Sequence, residues 1–308
     1  MEKTAPAGLY GPERAVLRGL LDLPPSVRLE RAAVSVEDAV ARGLAVVKAY
    51  AFASVDYPGA AGSLVFDHDG TTAVGAFVFD PANATSPLTA FTLAGGVYQI
   101  LNVPSSTRSL ATGINGAGLI VGVYTDLGGV LRGFANNGGT FSNVDFPGAS
   151  ETQAIGVNDA GQIVGDYFDA ASVEHGFVSS GGTFTAIDFP GAIGTLAAGI
   201  NAAGDIVGGW SDAAASHGFL LQSGVFTSIN FPLATSTTAF GINDTGEIAG
   251  FYTDAAGNTH GFIYAGGAFS TVDVAGARST QLTRIKNGGA VTGVYSDALN
   301  EAHGLTGQ

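Results

Sequence analysis

An aspartate followed by a hydrogen-bond donor recurs six times along this chain. The aspartates are Asp80, Asp126, Asp169, Asp212, Asp254 and Asp297, and the donors that follow them are Thr89, Arg132, His175, His217, His260 and His303. Arginine and threonine can still donate to a carboxylate where histidine is absent. The pattern therefore predicts a clamp across the loop between each aspartate and its donor, because a catalytic device would not need six near-copies.

An aromatic ring precedes each of these aspartates by two or three positions. The rings are Phe77, Tyr124, Tyr167, Trp210, Tyr252 and Tyr295. Flat apolar faces beside polar acceptors suit carbohydrates and other polyhydroxyl ligands, and weak sites that recur can act together through avidity. Two hypotheses follow: the groups of ring, aspartate and donor bind a glycan or small polar molecule, or the rings are ordinary core between structural units.

A second set of residues departs from the repeat and has the chemistry for catalysis. Asp67 and Lys286 are assigned to positions where the other copies have asparagine, namely Asn115, Asn158, Asn201 and Asn243. Arg284 stands where four copies have glycine, and His68 lies beside Asp67. An ion pair between Asp67 and Lys286 is the structural explanation. The functional alternative is a lyase, cyclase or hydrolase for an anionic small molecule, with His68 or Asp67 transferring a proton.

The basic residues add weight to that alternative. Five occur after residue 50, and all lie in or next to the second and sixth copies of the repeat: Arg108, Arg132, Arg278, Arg284 and Lys286. We expect them to form a positive sector near a central channel.

The elements that position these residues come from a repeat of about 43 residues. Its copies span approximately 61–105, 106–149, 150–192, 193–234, 235–277 and 278–308. In the third copy, short alternating runs and Gly- or Asn-containing turns predict strands over 153–158, 162–169, 175–178 and 183–189. Four strands in each of six units predict an all-β, six-bladed β-propeller, with an open β-solenoid as the alternative.

The sixth copy stops before its fourth strand, and the missing piece is found at the other end of the repeat region. Residues 52–60, FASVDYPGA, match FSNVDFPGA at 141–149. We therefore expect residues 50–60 to complete the last blade, which would remove an exposed sheet edge.

Residues 1–49 are of a different kind and predict a short helical N-terminal extension. Runs at 12–21 and 35–50 look helical, and Pro24 and Pro25 separate them. The alternative is a partly disordered lead-in. This segment lacks the apolar core of a secretory signal, so we expect a cytoplasmic protein, or a secreted one if a signal was trimmed.

The repeat units resemble a known family. GINDTGEIAGFYTDAAGNTHGFIYAGGAFSTVDVAGA at 241–277, GVNDAGQIVGDY from Gly156 and HGFVSSGGTFTAIDFPGA from His175 are similar to the HAF-type extracellular repeat of bacteria. The resemblance covers about 60–308. It implies a repeat module of exported proteins and carries no established catalytic residues to this chain.

Charge and composition exclude several functions. Residues 51–308 carry 5 basic against 20 acidic side chains, which disfavours nucleic acid as a partner. The sequence contains no apolar run long enough to predict a membrane span. It also contains no cysteine, which excludes thiolate metal sites and thiol catalysis. Equivalent histidines of neighbouring blades would lie too far apart for one zinc ion, which needs bonds of roughly 2.0–2.1 Å. We therefore predict no metal and no cofactor, with a small-molecule, glycan or protein partner.

Overall fold

The computed structural model describes residues 50–79 and 87–308, which form a six-bladed β-propeller. Each blade is a four-stranded antiparallel sheet, and the described ranges contain no helix. None of these residues therefore provides a helix able to cross a membrane. The predicted N-terminal extension lies outside the described residues, as does Asp80. Tyr50, which ends the second predicted helical run, is not helical.

The strands of the first three blades are β2 (Gly62–His68), β3 (Thr72–Val78), β4 (Thr89–Ala94), β5 (Val97–Ile100), β6 (Ser106–Ile114), β7 (Leu119–Asp126), β8 (Leu131–Asn137), β9 (Thr140–Val144), β10 (Glu151–Val157), β11 (Ile163–Phe168), β12 (Glu174–Ser180) and β13 (Thr183–Ile187). In the third blade the bounds differ from the predicted ones by at most two residues. Glycines with positive φ, such as Gly161 at 75°, make the tight turns.

The strands of the last three blades are β14 (Gly194–Ile200), β15 (Ile206–Ser211), β16 (Ser216–Gln222), β17 (Val225–Ile229), β18 (Ser236–Ile242), β19 (Ile248–Thr253), β20 (Thr259–Ala265), β21 (Ala268–Val272), β22 (Ser279–Ile285), β23 (Val291–Ser296), β24 (Ala302–Gly307) and β1 (Phe52–Val55). β1 is the outer strand of the sixth blade and pairs with β24, with Phe52 opposite Gly307 and Val55 opposite Gly304. The predicted closure by the N-terminal strand is confirmed.

Every innermost strand carries a β-bulge near its end. The extra residues are Phe66, Thr112, Ile155, Ala198, Phe240 and Thr283. Phe66, Ile155 and Phe240 belong to the central core around the axis. A bulge interrupts the hydrogen-bond ladder, so it leaves backbone groups available for other partners.

The register of these bulges corrects one alignment made from the sequence. Asp67 is equivalent to Gly113 and Arg284, because each follows the bulge directly. The equivalent of Asn115 and Lys286 is therefore Asp69, not Asp67. The physical reason is a turn between β2 and β3 that is one residue shorter, in which the N–H of Asp69 donates to the carbonyl oxygen of Thr72.

Glycine follows the bulge in the other four blades because the inner strands approach each other closely. A Cβ at Gly156 would lie 2.6 Å from the carbonyl oxygen of Ala198. A Cβ at Gly241 would lie 2.7 Å from the Cα of Arg284. The sixth blade thus brings a long cationic side chain, and the first blade a carboxylate, to an axis where the other four blades have glycine.

Candidate functional site

Strand direction places the two sets of sequence-predicted residues on opposite faces of the propeller. Successive strands of a blade are antiparallel, so the turns after the first and third strands share one face, and the second loop and the link to the next blade share the other. We call the first the funnel face, because Lys286 and the asparagines lie there around a cavity. We call the second the clamp face, which holds the donors and the five aspartates of the series that the structure describes, Asp126, Asp169, Asp212, Asp254 and Asp297. The two sets therefore do not form one site.

The cavity is an axial funnel of about 730 Å³. Its centre is surrounded by the ends of the innermost strands and by Arg284. It also extends outward between the first and sixth blades, where Leu93, Gly95, Val55 and Gln308 line it. The cavity is thus asymmetric: it lies on the axis and extends toward the seam where the ring closes.

Arg284 fills the axis beneath the funnel. Its Nη1 donates to the carbonyl oxygens of Phe240 at 3.1 Å and Thr283 at 2.7 Å. Its Nη2 donates to those of Ile155 at 2.6 Å and Thr112 at 3.3 Å. All four acceptors are bulge residues, so the interrupted ladders of four blades supply the carbonyls that hold one guanidinium. Burial lowers the pKa of Arg284, and Asp67 opposes this effect.

Asp67 is the counterion of this arginine and is itself 1% exposed. Its Oδ2 lies 3.5 Å from Nε of Arg284 and accepts the N–H of Ile114 at 3.1 Å. Its Oδ1 lies 2.7 Å from Nζ of Lys286 and accepts the N–H of His68 at 2.8 Å. The predicted pair of Asp67 and Lys286 is present, and Arg284 joins it, so four donors surround one buried carboxylate.

The recurring asparagines form a belt around the axis. The side-chain Nδ2 of each donates to a backbone carbonyl of the next blade: Asn115 to Asn158, Asn158 to Asn201, Asn201 to Asn243 and Asn243 to Lys286. Each Oδ1 also accepts a backbone N–H of its own turn. Lys286 then reaches Asp67 and closes the belt at the seam. These asparagines therefore link blades.

His68 lies at the funnel wall, half-buried, beside this network. Its Nδ1 accepts the N–H of Gly70 at 3.1 Å. Burial lowers the pKa of His68, Asp67 opposes that effect, and Lys286 adds to it. Of the four residues proposed for catalysis, the structure brings Asp67, Arg284 and Lys286 into contact, and His68 lies beside them, half-buried.

The expected positive sector does not form. Of the five basic residues after residue 50, the funnel is lined by Arg284 and Lys286. Arg132 lies on the clamp face, with its Nε 2.8 Å from Oδ2 of Asp126. Arg108 lies near the start of β6 and Arg278 directly precedes β22, and these positions also belong to the clamp face. These residues belong to the same two copies of the repeat, but successive strands run in opposite directions. Residues at opposite ends of a strand therefore lie on opposite faces of the propeller.

On the clamp face the aromatic rings are sandwiched. In the third blade, the ring of Tyr167 stacks on Phe146 with centroids 3.6 Å apart and on His175 at 5.1 Å. In the fourth, Trp210 lies between Phe189 at 4.2 Å and His217 at 4.3 Å. Tyr252 is held in the same way in the fifth blade, between Phe231 and His260. The Phe comes from the preceding blade, so both faces of each ring lie against protein groups.

Each histidine of this face lies between two acceptors of its own blade. In the third blade, Nδ1 of His175 is 2.8 Å from Asp188 and Nε2 is 3.7 Å from Asp169. In the fifth, His260 is 2.8 Å from Asp273 and 3.4 Å from Asp254. In the fourth, His217 has Asp212 at 3.5 Å and Asn230 at 3.3 Å. In the sixth, His303 has Asp56 at 3.1 Å and Asp297 at 3.9 Å.

Backbone hydrogen bonds fix the acids at the ends of the second strands. The N–H of Val173 holds the pKa of Asp169 below its ordinary value, and that of Ala214 does the same for Asp212. The N–H and side chain of Asn258 lower the pKa of Asp254 to about 2. Burial raises the pKa of Tyr167 and of Tyr295. The arrangement is a local clamp, and a ligand-binding role for these residues stays a prediction.

The sequence analysis did not identify two residues of each group, namely the Phe that stacks on the ring and the second acid that contacts the histidine. The Phe and Asp of the recurring Asp-Phe-Pro-Gly stretch, such as Phe146 and Asp188, supply the stacking partner and the second acid. These residues recur in the sequence, which could have drawn attention to them. Their contacts could not be predicted, because their partners lie on other strands.

The fold is similar to that of several solved propellers. TolB from Acinetobacter baumannii is 10% identical, with a TM-score of 0.57 over 77% of this chain and 64% of that one. AofleA from Arthrobotrys oligospora is 14% identical, with a TM-score of 0.51 over 83% and 81%. A fungal lectin from Aleuria aurantia, with a six-bladed β-propeller fold and a fucose recognition mode, is 13% identical, with a TM-score of 0.50 over 80% and 90%. No family model and no curated protein matches the chain. The structural similarity establishes the six-bladed propeller fold.

Proposed function

We propose that the protein is a binding module and that its ligand, a glycan or another small polar molecule, occupies the axial funnel. The observation that carries this proposal is the cavity of about 730 Å³ on the axis. Ligand pockets typically measure about 300–1,000 Å³. A mono- or disaccharide is small enough to enter such a space.

The wall of the funnel suits hydroxyl groups. Asp159 and Asp244 are exposed acceptors, Nζ of Lys286 has donors beyond its contact with Asp67, and Leu93 and Val55 add an apolar side. A hydroxyl both donates and accepts hydrogen bonds, so it can bridge such groups. A sugar also offers apolar C–H faces to the Leu93 side.

The contacts beneath the funnel support binding over turnover. The guanidinium of Arg284 is fully engaged with carbonyls and Asp67, and Asp67 accepts from four donors. A catalytic acid or anion-binding group needs a free proton or a free donor. Among the four residues considered for catalysis, His68 and Lys286 are partly exposed, and Lys286 is paired with Asp67.

Similarity of fold to a fucose-recognising lectin is consistent with this proposal and guides the choice of probe. The clamp face is the second candidate surface, because its groups of ring, acid and donor recur. Membership of the HAF-type repeat family and the cellular location stay predictions from the sequence.

Two alanines provide a matched test. Ala202 lines the funnel and Ala256 is exposed on the clamp face, and the N–H of each donates to an aspartate Oδ1. We expect isothermal titration calorimetry against a panel of saccharides that includes L-fucose to detect binding by the unmodified chain. Ala202→Trp should abolish binding by filling the funnel, and Ala256→Trp should leave it unchanged. Loss of binding in Ala256→Trp alone would move the site to the clamp face, and no response to any saccharide would contradict the glycan assignment.

A further inference from the structure

The loop between β23 and β24 in the sixth blade carries an acid that the corresponding loops lack. Glu301 stands where the third and fifth blades have Val173 and Asn258. Its side chain is 4% exposed, and its Oε2 has no hydrogen-bond partner within the described part of the chain. Burial of an ionised carboxylate without a partner is costly, so a proton or a cation has to compensate it.

Glu301 lies in a cluster of three groups that can ligate a metal. One atom each of Asp297, Glu301 and His303 lies within 4.8 Å of the others. Oδ1 of Asp297 accepts the N–H groups of Leu299 and Glu301, both at 2.9 Å, which fixes this carboxylate. Its Oδ2 lies 3.9 Å from Nε2 of His303, beyond hydrogen-bond distance. The space between these atoms is bordered by two oxygens and one nitrogen.

The imidazole is oriented for ligation. Nδ1 of His303 lies 3.1 Å from Oδ1 of Asp56, and the ring stacks on Tyr295 with centroids 4.9 Å apart. A proton on Nδ1 shared with Asp56 leaves the Nε2 lone pair directed toward Asp297. Histidines that bind metals usually donate their other N–H to a carboxylate or carbonyl in this way.

We propose that Asp297, Glu301 and His303 bind a divalent transition-metal cation, with Zn²⁺ as the best match. An imidazole ligand favours zinc over calcium or magnesium, which take oxygen ligands. Two carboxylates balance its charge, and three protein ligands leave one tetrahedral position open. Bonds of about 2.0–2.1 Å would set neighbouring ligand atoms about 3.4 Å apart. The pair of Asp297 and His303, at 3.9 Å, then needs to close by about 0.5 Å, and a pair at the 4.8 Å limit by about 1.4 Å.

The third and fifth blades serve as internal comparisons. Asp169 and His175 keep the pair at 3.7 Å, and Asp254 and His260 keep it at 3.4 Å, but within the described ranges neither pair forms a cluster with a third potential ligand. The proposal concerns the clamp face and is independent of any ligand in the funnel. It also departs from the sequence-based expectation, which considered histidines of different blades and not three ligands within one.

Zinc titration of the untagged full chain tests the site after treatment with a chelator and dialysis. We expect calorimetry to show one Zn²⁺ per chain, and Co²⁺ to give the visible absorption of a low-coordinate site. Glu301→Gln, which is close to isosteric, should lose both signals. Asp56→Asn should weaken zinc binding by about 10–100-fold, because it removes the orienting partner of His303.

Two further variants serve as controls for Glu301→Gln. Glu174→Gln removes a carboxylate from the corresponding region of the third blade and should leave zinc binding unchanged. Glu301→Asn copies the fifth blade and replaces Glu301→Gln if that variant does not fold by circular dichroism. Absence of zinc binding in the unmodified chain, equal binding by the Glu301 variant, or binding of Ca²⁺ in preference to Zn²⁺ would overturn the proposal.

Discussion

Around the axis, Arg284 donates to carbonyl groups of four blades, whereas on the clamp face the polar contacts of His175 are with the acids of its own blade. Both regions come from the same repeated unit. At the axis, the residues that break the repeat, Asp67, Arg284 and Lys286, bind the blades to one another. On the clamp face, repeated residues form the same clamp between an acid and a donor within each blade. Loss of one residue should therefore affect the whole ring in the first region and a single blade in the second.

The comparison is tested most strongly by Arg284→Met. This change keeps an apolar stem but leaves the carbonyls of Phe240 and Ile155 without the guanidinium donor and removes one of the four donors around Asp67. Removal of one partner from a buried ion pair typically costs about 3–5 kcal/mol of the free energy of unfolding. Urea denaturation followed by circular dichroism should show a single transition at a much lower midpoint.

Arg132→Met is the matched control, because Arg132 pairs with Asp126 on the clamp face with 37% of its side chain exposed. Pairs of this kind contribute about 1 kcal/mol or less. Equal midpoints for the Arg284 and Arg132 variants would show that the axial contacts do not link the blades in solution.

Asn158→Ala is expected to have an intermediate effect. It removes the hydrogen bond from Nδ2 to the carbonyl of Asn201 and the bond that Oδ1 accepts from the N–H of Gln162. Buried groups left without partners cost about 1–3 kcal/mol. His175→Ala in the same blade, with a partly exposed side chain, should cost about 1 kcal/mol or less. Thermal or urea unfolding of both variants checks the order, and a larger loss for His175→Ala would reverse the comparison.

The fold was largely predictable from the sequence, because each blade repeats the same turns and alternation. Closure followed from the match of 52–60 to 141–149, which needs no knowledge of contacts. Closure also predicted the pair of Asp67 and Lys286, because a closed ring makes the first and sixth units neighbours.

The contacts of Arg284 could not be predicted in this way. Its partners are backbone carbonyls freed by bulges, and a carbonyl has no signature in the amino-acid sequence. The shorter turn before Thr72 hid the true alignment of Asp67 until the strand register was known. Glu301 escaped notice because its position varies between blades, so one acid there is significant only once its burial is known.

The smallest effect is expected from acid titration of Asp254 on the clamp face. Hydrogen bonds from the N–H and the side chain of Asn258 lower its pKa from 3.8 to about 2. A folded-state pKa below the unfolded value means that the carboxylate stabilises the fold above about pH 4, and that this contribution is lost as pH falls toward 2.

Carbon-detected NMR of the Asp254 carboxyl group should give a midpoint near 2, and Asn258→Ala should move it upward because the side-chain donor of Asn258 is then lost. Asp254→Asn identifies the resonance by its absence. A midpoint near 3.8 in the unmodified chain would mean that the turn hydrogen bonds do not persist in solution. Because the contacts of Asp254 stay within its own blade, its titration should leave the other carboxyl resonances of the clamp face unshifted, whereas Arg284→Met should perturb residues in every blade that contributes a carbonyl to the axis.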